Sequence, residues 1–152
     1  MNKSIKNDWE NAFAQKSEAA FGEAFAEDVV LEAAVLNAPI TGRENVRKVM
    51  GAASKIYESL TFTKSATSGL QEYKEWEAQA FGGVLLKGIT VLTRSENQAI
   101  AHIAIHHRPL GGALKFSAVL RDSLHGEIDP SYFYSENIFK NLIGSDSYEQ
   151  ID

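Results

Sequence analysis

Three of the four histidines lie in one short segment, AIAHIAIHHR at Ala99–Arg108. On a helix, His102 and His106 would lie one turn apart and could share a metal ion. The alternating isoleucines favour a strand instead, on which these two side chains would be about 13 Å apart and could not chelate one ion. We therefore expect no metal site, and no cofactor is expected either.

The same strand separates its residues between two faces. The more apolar face comprises Ala101, Ile103, Ile105 and His107. We expect this face to line the interior of the protein, so His107 should point inward. His107 is then either a core histidine or a general base, because an imidazole titrates near neutral pH without perturbation.

A second candidate group is the pair Glu75 and Glu77 in the segment Tyr73–Phe81. On one strand face these carboxylates would be about 7 Å apart, a workable separation for acid/base chemistry. The opposite face, which carries Trp76, is far more apolar, and we favour this face as the interior wall because burying two carboxylates without a cation is costly. In the reversed register, the two glutamates would be the acid/base pair.

In the favoured register, the outer face of the sheet is charged with both signs. Glu75 and Glu77 would share this face with His102, His106 and Arg108 from nearby strands. Opposite charges on neighbouring strands make a complementary surface. The sequence therefore predicts a homodimer that forms through the outer sheet face.

Two amphipathic helices precede these strands. Asn7 and Glu10 have the spacing of a capping box before a helix that carries Trp9, Phe13 and Phe21 and is broken near Ser17. A strand is predicted over Val29–Leu36. Thr41 and Glu44 have the same capping spacing before a second helix. The apolar face of that second helix comprises Val46, Val49, Met50, Ala53 and Tyr57.

From Leu60 onward the apolar pattern indicates an antiparallel meander. Its predicted strands are Leu60–Thr67, Leu70–Phe81, Val84–Arg94 and Gln98–Arg108, separated by short turns. A C-terminal helical extension follows over residues 109–144, with one helix after Pro109 and another after Pro130, and residues 145–152 form an acidic tail. The sequence predicts one α+β domain, with a core at 8–108, in which a curved antiparallel sheet wraps around helices.

Composition excludes several classes of protein. The 152 residues contain no cysteine, so disulfides, thiolate catalysis and cysteine-bound zinc are excluded. The net charge is −5 and no basic block is present, so nucleic acid is not an expected partner. No apolar run is long enough for a membrane span, and no secretory signal follows the first lysines. We expect a cytoplasmic protein.

Two short motifs and the meander resemble the SnoaL-like members of the nuclear transport factor 2-like superfamily. The motifs are FAEDVV at Phe25–Val30 and PITGREN with the following valine at Pro39–Val46. The resemblance implies a cone in which a bent sheet wraps long helices around an apolar cavity. Members include polyketide cyclases, ketosteroid isomerase-like enzymes and proteins that only bind or dimerise. The aspartate base of the cyclases and isomerases has no counterpart here, since no aspartate occurs between Asp28 and Asp122.

The predicted function is binding of a small, largely apolar organic molecule in the cone. The residues expected to line its site are Trp9, Phe13, Phe21, Trp76, Val91, Ile103 and Ile105. If the protein is an enzyme, proton transfer in an isomerisation or cyclisation is expected, with His107 as the first candidate base and a glutamate, Glu77 before Glu75, as the second. By analogy with the family isomerases, Tyr57 would donate a hydrogen bond. The alternative is a non-catalytic module that binds a ligand or dimerises.

Overall fold

Six strands form one curved, unclosed sheet in the computed structural model, which describes residues 7–136. The strands are β1 (Phe25–Ala33), β2 (Ile40–Thr41), β3 (Ser59–Ser68), β4 (Gln71–Ala80), β5 (Val84–Arg94) and β6 (Ile100–Arg108). The helices are α1 (Asp8–Gln15), α2 (Glu18–Ala24), α3 (Arg43–Ile56) and α4 (Leu110–Ser123), followed by a 3₁₀ turn at Pro130–Tyr132. The predicted α+β class is confirmed.

The order of the strands is β2-β1-β6-β5-β4-β3. Strands β3 to β6 form the predicted antiparallel meander, with bounds within a few residues of those expected. The first strand departs from the prediction, since β1 lies parallel to β6 and begins at Phe25 rather than at Val29. Phe25, which precedes the predicted strand, pairs with Ile100 in the sheet. The parallel pairing adds a non-local contact that alternation along a single strand cannot reveal.

The predicted break in the N-terminal helix is confirmed, but both predicted capping boxes are wrong. Lys16 has φ 51°, which ends α1, and the Ser17 hydroxyl accepts a hydrogen bond from the Ala20 amide at the start of α2. The Asn7 side chain makes no capping hydrogen bond at the start of α1. Thr41 does not cap α3 either, because that helix begins from Gly42 and the Glu44 carboxylate binds Arg47. Capping spacing therefore located the helices without giving the contacts at their ends.

Alternate residues of β4, β5 and β6 face the helices, and these positions form the core. The inner residues of β4 include Trp76, Ala78 and Ala80, which are all buried, whereas Glu77 on the other face is exposed. Helix α3 packs inside the curve of the sheet through Val46, Val49 and Met50. Within residues 7–136, no helix is long and apolar enough to cross a membrane.

The C-terminal extension packs back onto the core. Phe116 and Leu120 of α4 are 1% exposed, and Phe133 after the 3₁₀ turn is equally buried. The Ser117 hydroxyl fastens this region, since it donates to the Val35 carbonyl at 2.6 Å and accepts from the Tyr134 amide at 2.8 Å. The expected helix through Ile138 to Gly144, and the acidic tail, lie outside the described residues.

Candidate functional site

A small cavity lies inside the curve of the sheet, between β4 to β6 and helices α1, α3 and α4. Its wall is largely apolar, and its aromatic side chains are Trp9, Phe13, Tyr57, Phe62, Trp76 and Phe116, for which we call it the aromatic cavity. The free volume for the centre of a water molecule is about 20 Å³. That space accommodates a water-sized group, so an organic ligand must displace side chains of the wall.

His107 is the titratable imidazole in this wall, where β6 carries it inward as the strand alternation predicts. Its ring lies 5.6 Å from the ring of Trp76 and 5.6 Å from that of Phe116, measured between centroids. Burial, with a smaller effect from the charge of His106, lowers the pKa of His107 to about 4. The imidazole is therefore neutral at neutral pH, and its Nδ1 atom is buried with no hydrogen-bond partner among residues 7–136.

Two further polar groups reach the same wall from helical segments. Tyr57 directly follows α3, and burial raises the pKa of its phenol well above the usual range, so the hydroxyl stays protonated. The Nε1 atom of Trp9 is buried without a hydrogen-bond partner in the part of the chain that the structure describes. The wall therefore offers donors as well as the imidazole nitrogen, and a ligand could satisfy them.

Thr90 was missed by sequence reasoning, which placed Val91 in the site instead. The structure puts Thr90 on the inner face of β5, in the cavity wall, and Val91 on the outer face, so the Val91 prediction is wrong. The Thr90 hydroxyl accepts a hydrogen bond from Trp76 Nε1 at 3.1 Å. The error arose because both faces of β5 carry apolar residues. Lys87 lies on the same face as Val91, and its charge indicates that this face is the one in contact with solvent.

Gly88 explains why the ring of Trp76 can lie against β5. A Cβ atom at Gly88 would stand 2.4 Å from Trp76 Cζ2 and 2.5 Å from the His106 carbonyl oxygen. Any side chain at this position would therefore push the indole away from the sheet. The glycine belongs to the site although the sequence alone gives it no role.

The other predicted lining residues divide into two groups. Trp9, Phe13, Trp76 and Ile105 line the cavity. Phe21 and Ile103 are fully buried but do not reach it. Phe21 packs behind the wall, 5.0 Å from the ring of Phe13, and Ile103 pairs with Leu31 and Leu92 farther along the sheet. These two residues support the wall rather than form it.

Glu75 and Glu77 lie on the outer face of β4, opposite Trp76. The reversed register is therefore wrong, and neither carboxylate can reach the cavity through the sheet. On this outer face, Glu77 pairs across to Lys87 of β5, and Lys87 pairs with Arg108 of β6. The predicted cluster is thus divided between β4 and β6, which β5 separates, and His102 binds Glu32 at 2.7 Å instead of a β4 glutamate.

A buried ion cluster joins α1 to the sheet on the cavity side. Arg94 donates to Asp8 at 2.8 Å and to Glu72 at 3.2 Å, and its side chain is only 5% exposed. Beside it, Lys74 donates to Glu10 at 2.8 Å. Because α1 carries Trp9 and Phe13, this cluster holds two rings of the wall in place.

The described residues contain no group of three histidine, aspartate or glutamate side chains that could hold a metal ion. His102 and His106 lie on the outer face of the sheet, where His102 contacts Glu32. The chemistry available at the cavity is therefore that of the imidazole of His107 and the neighbouring hydroxyl and indole groups.

Comparison with solved structures shows the fold. No protein-family model and no curated protein matches the sequence. The chain is similar to an uncharacterized bacterial protein with a cystatin-like fold from Silicibacter pomeroyi, with a TM-score of 0.76 and 17% identity over 81% of this chain and 86% of that one. It is similar to a steroid delta-isomerase from Pseudomonas aeruginosa, with a TM-score of 0.74 and 18% identity over 81% and 90%.

A third similar structure is a hypothetical protein with a ketosteroid isomerase-like fold from Catenulispora acidiphila, in complex with trimethylamine. Its TM-score is 0.60, with 21% identity over 75% of this chain and 92% of that one. Further matches of the same kind are described as NTF2-like proteins. The strand order, the enclosed helices and these matches agree with the resemblance seen in the sequence: the chain has the nuclear transport factor 2-like fold.

Proposed function

We propose that the protein binds a small, neutral, largely apolar organic molecule in the aromatic cavity, with His107 as its polar contact. The observation that carries this proposal is the Nδ1 atom of His107, which is buried in an apolar wall without a partner. An unpaired buried polar atom costs about 1–3 kcal/mol. A ligand with one hydrogen-bonding group and an apolar body would remove that cost.

The preference for a neutral ligand follows from the state of His107. Burial in the wall lowers the pKa of the His107 imidazole to about 4, so the wall disfavours a positive charge on this side chain. An ammonium group placed in the same space would suffer the same loss of hydration. The trimethylamine in the Catenulispora acidiphila structure supports a small ligand within this fold, and the burial of His107 argues for a neutral one here.

Binding requires the cavity to expand, because only about 20 Å³ is free. Met50 lines the wall, and its unbranched side chain can change rotamer at low cost. Phe13 is only partly buried and can turn outward. We therefore expect ligand uptake to be accompanied by side-chain movement, which the fluorescence of Trp9 and Trp76 should report.

Matched aromatic probes test the proposal. We expect the wild-type protein to bind p-cresol about tenfold more tightly than toluene in calorimetric titration at pH 7, since one hydrogen bond contributes about 1.4 kcal/mol. His107→Phe should remove this preference and leave toluene binding intact. His106→Phe, at an exposed position of the outer face, is the matched control and should keep it. Tetramethylammonium should not bind.

Failure of both probes to bind the wild-type protein would contradict the proposal. A cresol preference that survives in His107→Phe would assign the polar contact to another group, of which Tyr57 and Thr90 are the candidates in the wall. In that case the ligand class would stand and the role of His107 would not.

Proton-transfer catalysis on such a ligand is the second candidate function. It is favoured by one observation, that His107 is unprotonated at neutral pH in a cavity wall that also carries the protonated phenol of Tyr57. The fold neighbours include a steroid delta-isomerase, and we infer an isomerisation or cyclisation if turnover is found. A base with a pKa near 4 is a weak one, so His107 suits a substrate whose proton is already acidic. A non-catalytic binding module remains the main proposal.

We also propose that two copies associate through the outer sheet face. Glu77 and Arg108 flank Lys87 on three adjacent strands, so the face offers both signs of charge to a second copy. Sedimentation of a monomer at micromolar concentration and low salt would contradict this dimer. The cytoplasmic location stays a prediction from the sequence.

A further inference from the structure

A cleft opens on the surface between α1 and β3, directly outside the aromatic cavity. We call it the vestibule, and its volume is about 240 Å³. Four side chains belong to both the vestibule and the cavity: Phe13, Tyr57, Leu60 and Phe62. Those side chains therefore separate a small space from a larger one.

Phe13 is one of three partly buried residues among these four side chains, with Leu60 and Phe62. Its ring lies 5.0 Å from that of Phe21, 5.1 Å from that of Trp9 and 6.1 Å from those of Tyr57 and Phe62, so its rotation requires these neighbours to shift with it. It projects from the short helix α1, which ends at the left-handed residue Lys16. Rotation of this ring would join the vestibule to the cavity. The cavity alone is far below the roughly 300 Å³ of a typical ligand site, whereas the vestibule approaches it.

Glu10 lines the vestibule and has one oxygen without a partner. Its Oε2 atom accepts a hydrogen bond from Lys74 Nζ at 2.8 Å. Its Oε1 atom is buried and has no hydrogen-bond partner among the described residues. An unpaired carboxylate oxygen is a strong acceptor for a ligand donor that displaces the side chains covering it.

Three other polar side chains of the vestibule are already engaged. Both carboxylate oxygens of Glu58 accept backbone hydrogen bonds, from the amides of Gly82 and Gly83. Lys16 Nζ donates to the Tyr57 carbonyl at 2.9 Å, and the Ser54 hydroxyl donates to the Gly51 carbonyl at 2.8 Å. Of the two carboxylates that line this cleft, Glu10 is therefore the one with an unused oxygen.

We propose that the vestibule and the cavity form one two-part binding site, in which Glu10 accepts a hydrogen bond from a hydroxyl at the outer end of the ligand. The inner part of that ligand passes Phe13 and occupies the aromatic cavity, where His107 is available to a second polar group. This inference rests on the proposed function and adds the chemistry of the second half of the ligand. It implies a molecule longer than a single ring, with a donor at one end.

The test compares 3-phenylpropan-1-ol with its methyl ether, which keeps the shape and loses the donor. We expect wild-type protein to bind the alcohol about tenfold more tightly in calorimetric titration at neutral pH. In Glu10→Gln, the amide oxygen must face Lys74, because that ammonium can only donate. The amide NH₂ then faces the vestibule, and the variant should prefer the ether.

Glu58→Gln is the matched control, because it removes the same charge from the same cleft at a carboxylate that has no free oxygen. It should keep the preference for the alcohol. Equal affinity of wild-type protein for alcohol and ether would overturn the role of Glu10 and leave the proposed function intact. If wild-type protein binds neither probe, the proposed function fails as well. If Glu10→Gln does not fold, His107→Phe decides the matter, because the preference for the alcohol must survive in that variant if Glu10 rather than His107 accepts the hydrogen bond.

Discussion

Lowering the pH from 7 to 4 is expected to remove about 3 kcal/mol from the free energy of unfolding through His107 alone. In the folded protein the pKa of this imidazole is lowered to about 4 from an ordinary value of 6.5. The unfolded chain therefore takes up a proton as the pH falls through 6.5, while the folded protein stays unprotonated until about pH 4. Acid shifts the equilibrium toward the unfolded state across that window.

His107→Phe isolates this contribution. A phenyl ring fits between Trp76 and Phe116 and cannot be protonated. As the pH falls from 6 to 4.5, the free energy of unfolding of the variant should therefore decrease by about 1.4 kcal/mol less per pH unit than that of the wild-type protein. Urea unfolding at several pH values measures the slope. His106→Phe is the control for a neighbouring exposed imidazole. Identical slopes in the wild-type protein and His107→Phe would show that His107 is not buried as described.

Arg94→Met is expected to destabilise the protein by about 3 kcal/mol, the lower end of the cost of breaking a buried ion pair. The Arg94 side chain is 5% exposed and binds both Asp8 and Glu72. Burial disfavours its charged form, but the hydrogen bonds to the two carboxylates outweigh this effect and raise the pKa of the guanidinium. Without Arg94 the carboxylates face each other with only Lys74 nearby. They are partly open to solvent, so the upper end of the range is not expected.

Arg47→Met provides the matched comparison. Arg47 also binds two carboxylates, those of Glu18 and Glu44, but its side chain is 29% exposed and Glu44 is 68% exposed. Exposed ion pairs contribute less than about 1 kcal/mol. Thermal or urea unfolding of both variants should therefore give a clearly larger loss for Arg94→Met. Similar losses would mean that the Arg94 cluster is as open to water as the surface pair.

The meander and the inward position of His107 could be predicted because each follows from alternation within one strand. Ile103, Ile105 and His107 share the buried side of β6, and Trp76 shares the buried side of β4. Alternation failed at β5, where apolar residues occupy both faces. Val91 was therefore placed inside, and Thr90, which binds Trp76, was overlooked.

The small free volume of the cavity could not be predicted from the sequence. The family resemblance implied an apolar cavity, and its wall includes Phe116 of α4, which packs 5.0 Å from the ring of Tyr57. This contact depends on where the C-terminal extension packs against the core, and the periodicity of a helix does not determine its position in the fold. Likewise, the partnership of Arg94 with Asp8 joins residues far apart in the chain, and only the fold brings them together.

The parallel pairing of β1 with β6 has a consequence for how the chain acquires its structure. Val30 pairs with His102, so the partner of β1 is synthesised only after α3 and three strands of the meander. Closing so long a loop costs conformational entropy before the contact is gained. On a ribosome, the N-terminal segment with Phe21, Phe25 and Leu31 would emerge first and keep its apolar side uncovered until β6 is available. Folding of this protein should therefore begin in the meander, and the N-terminal third is the part of the nascent chain that a chaperone would shield.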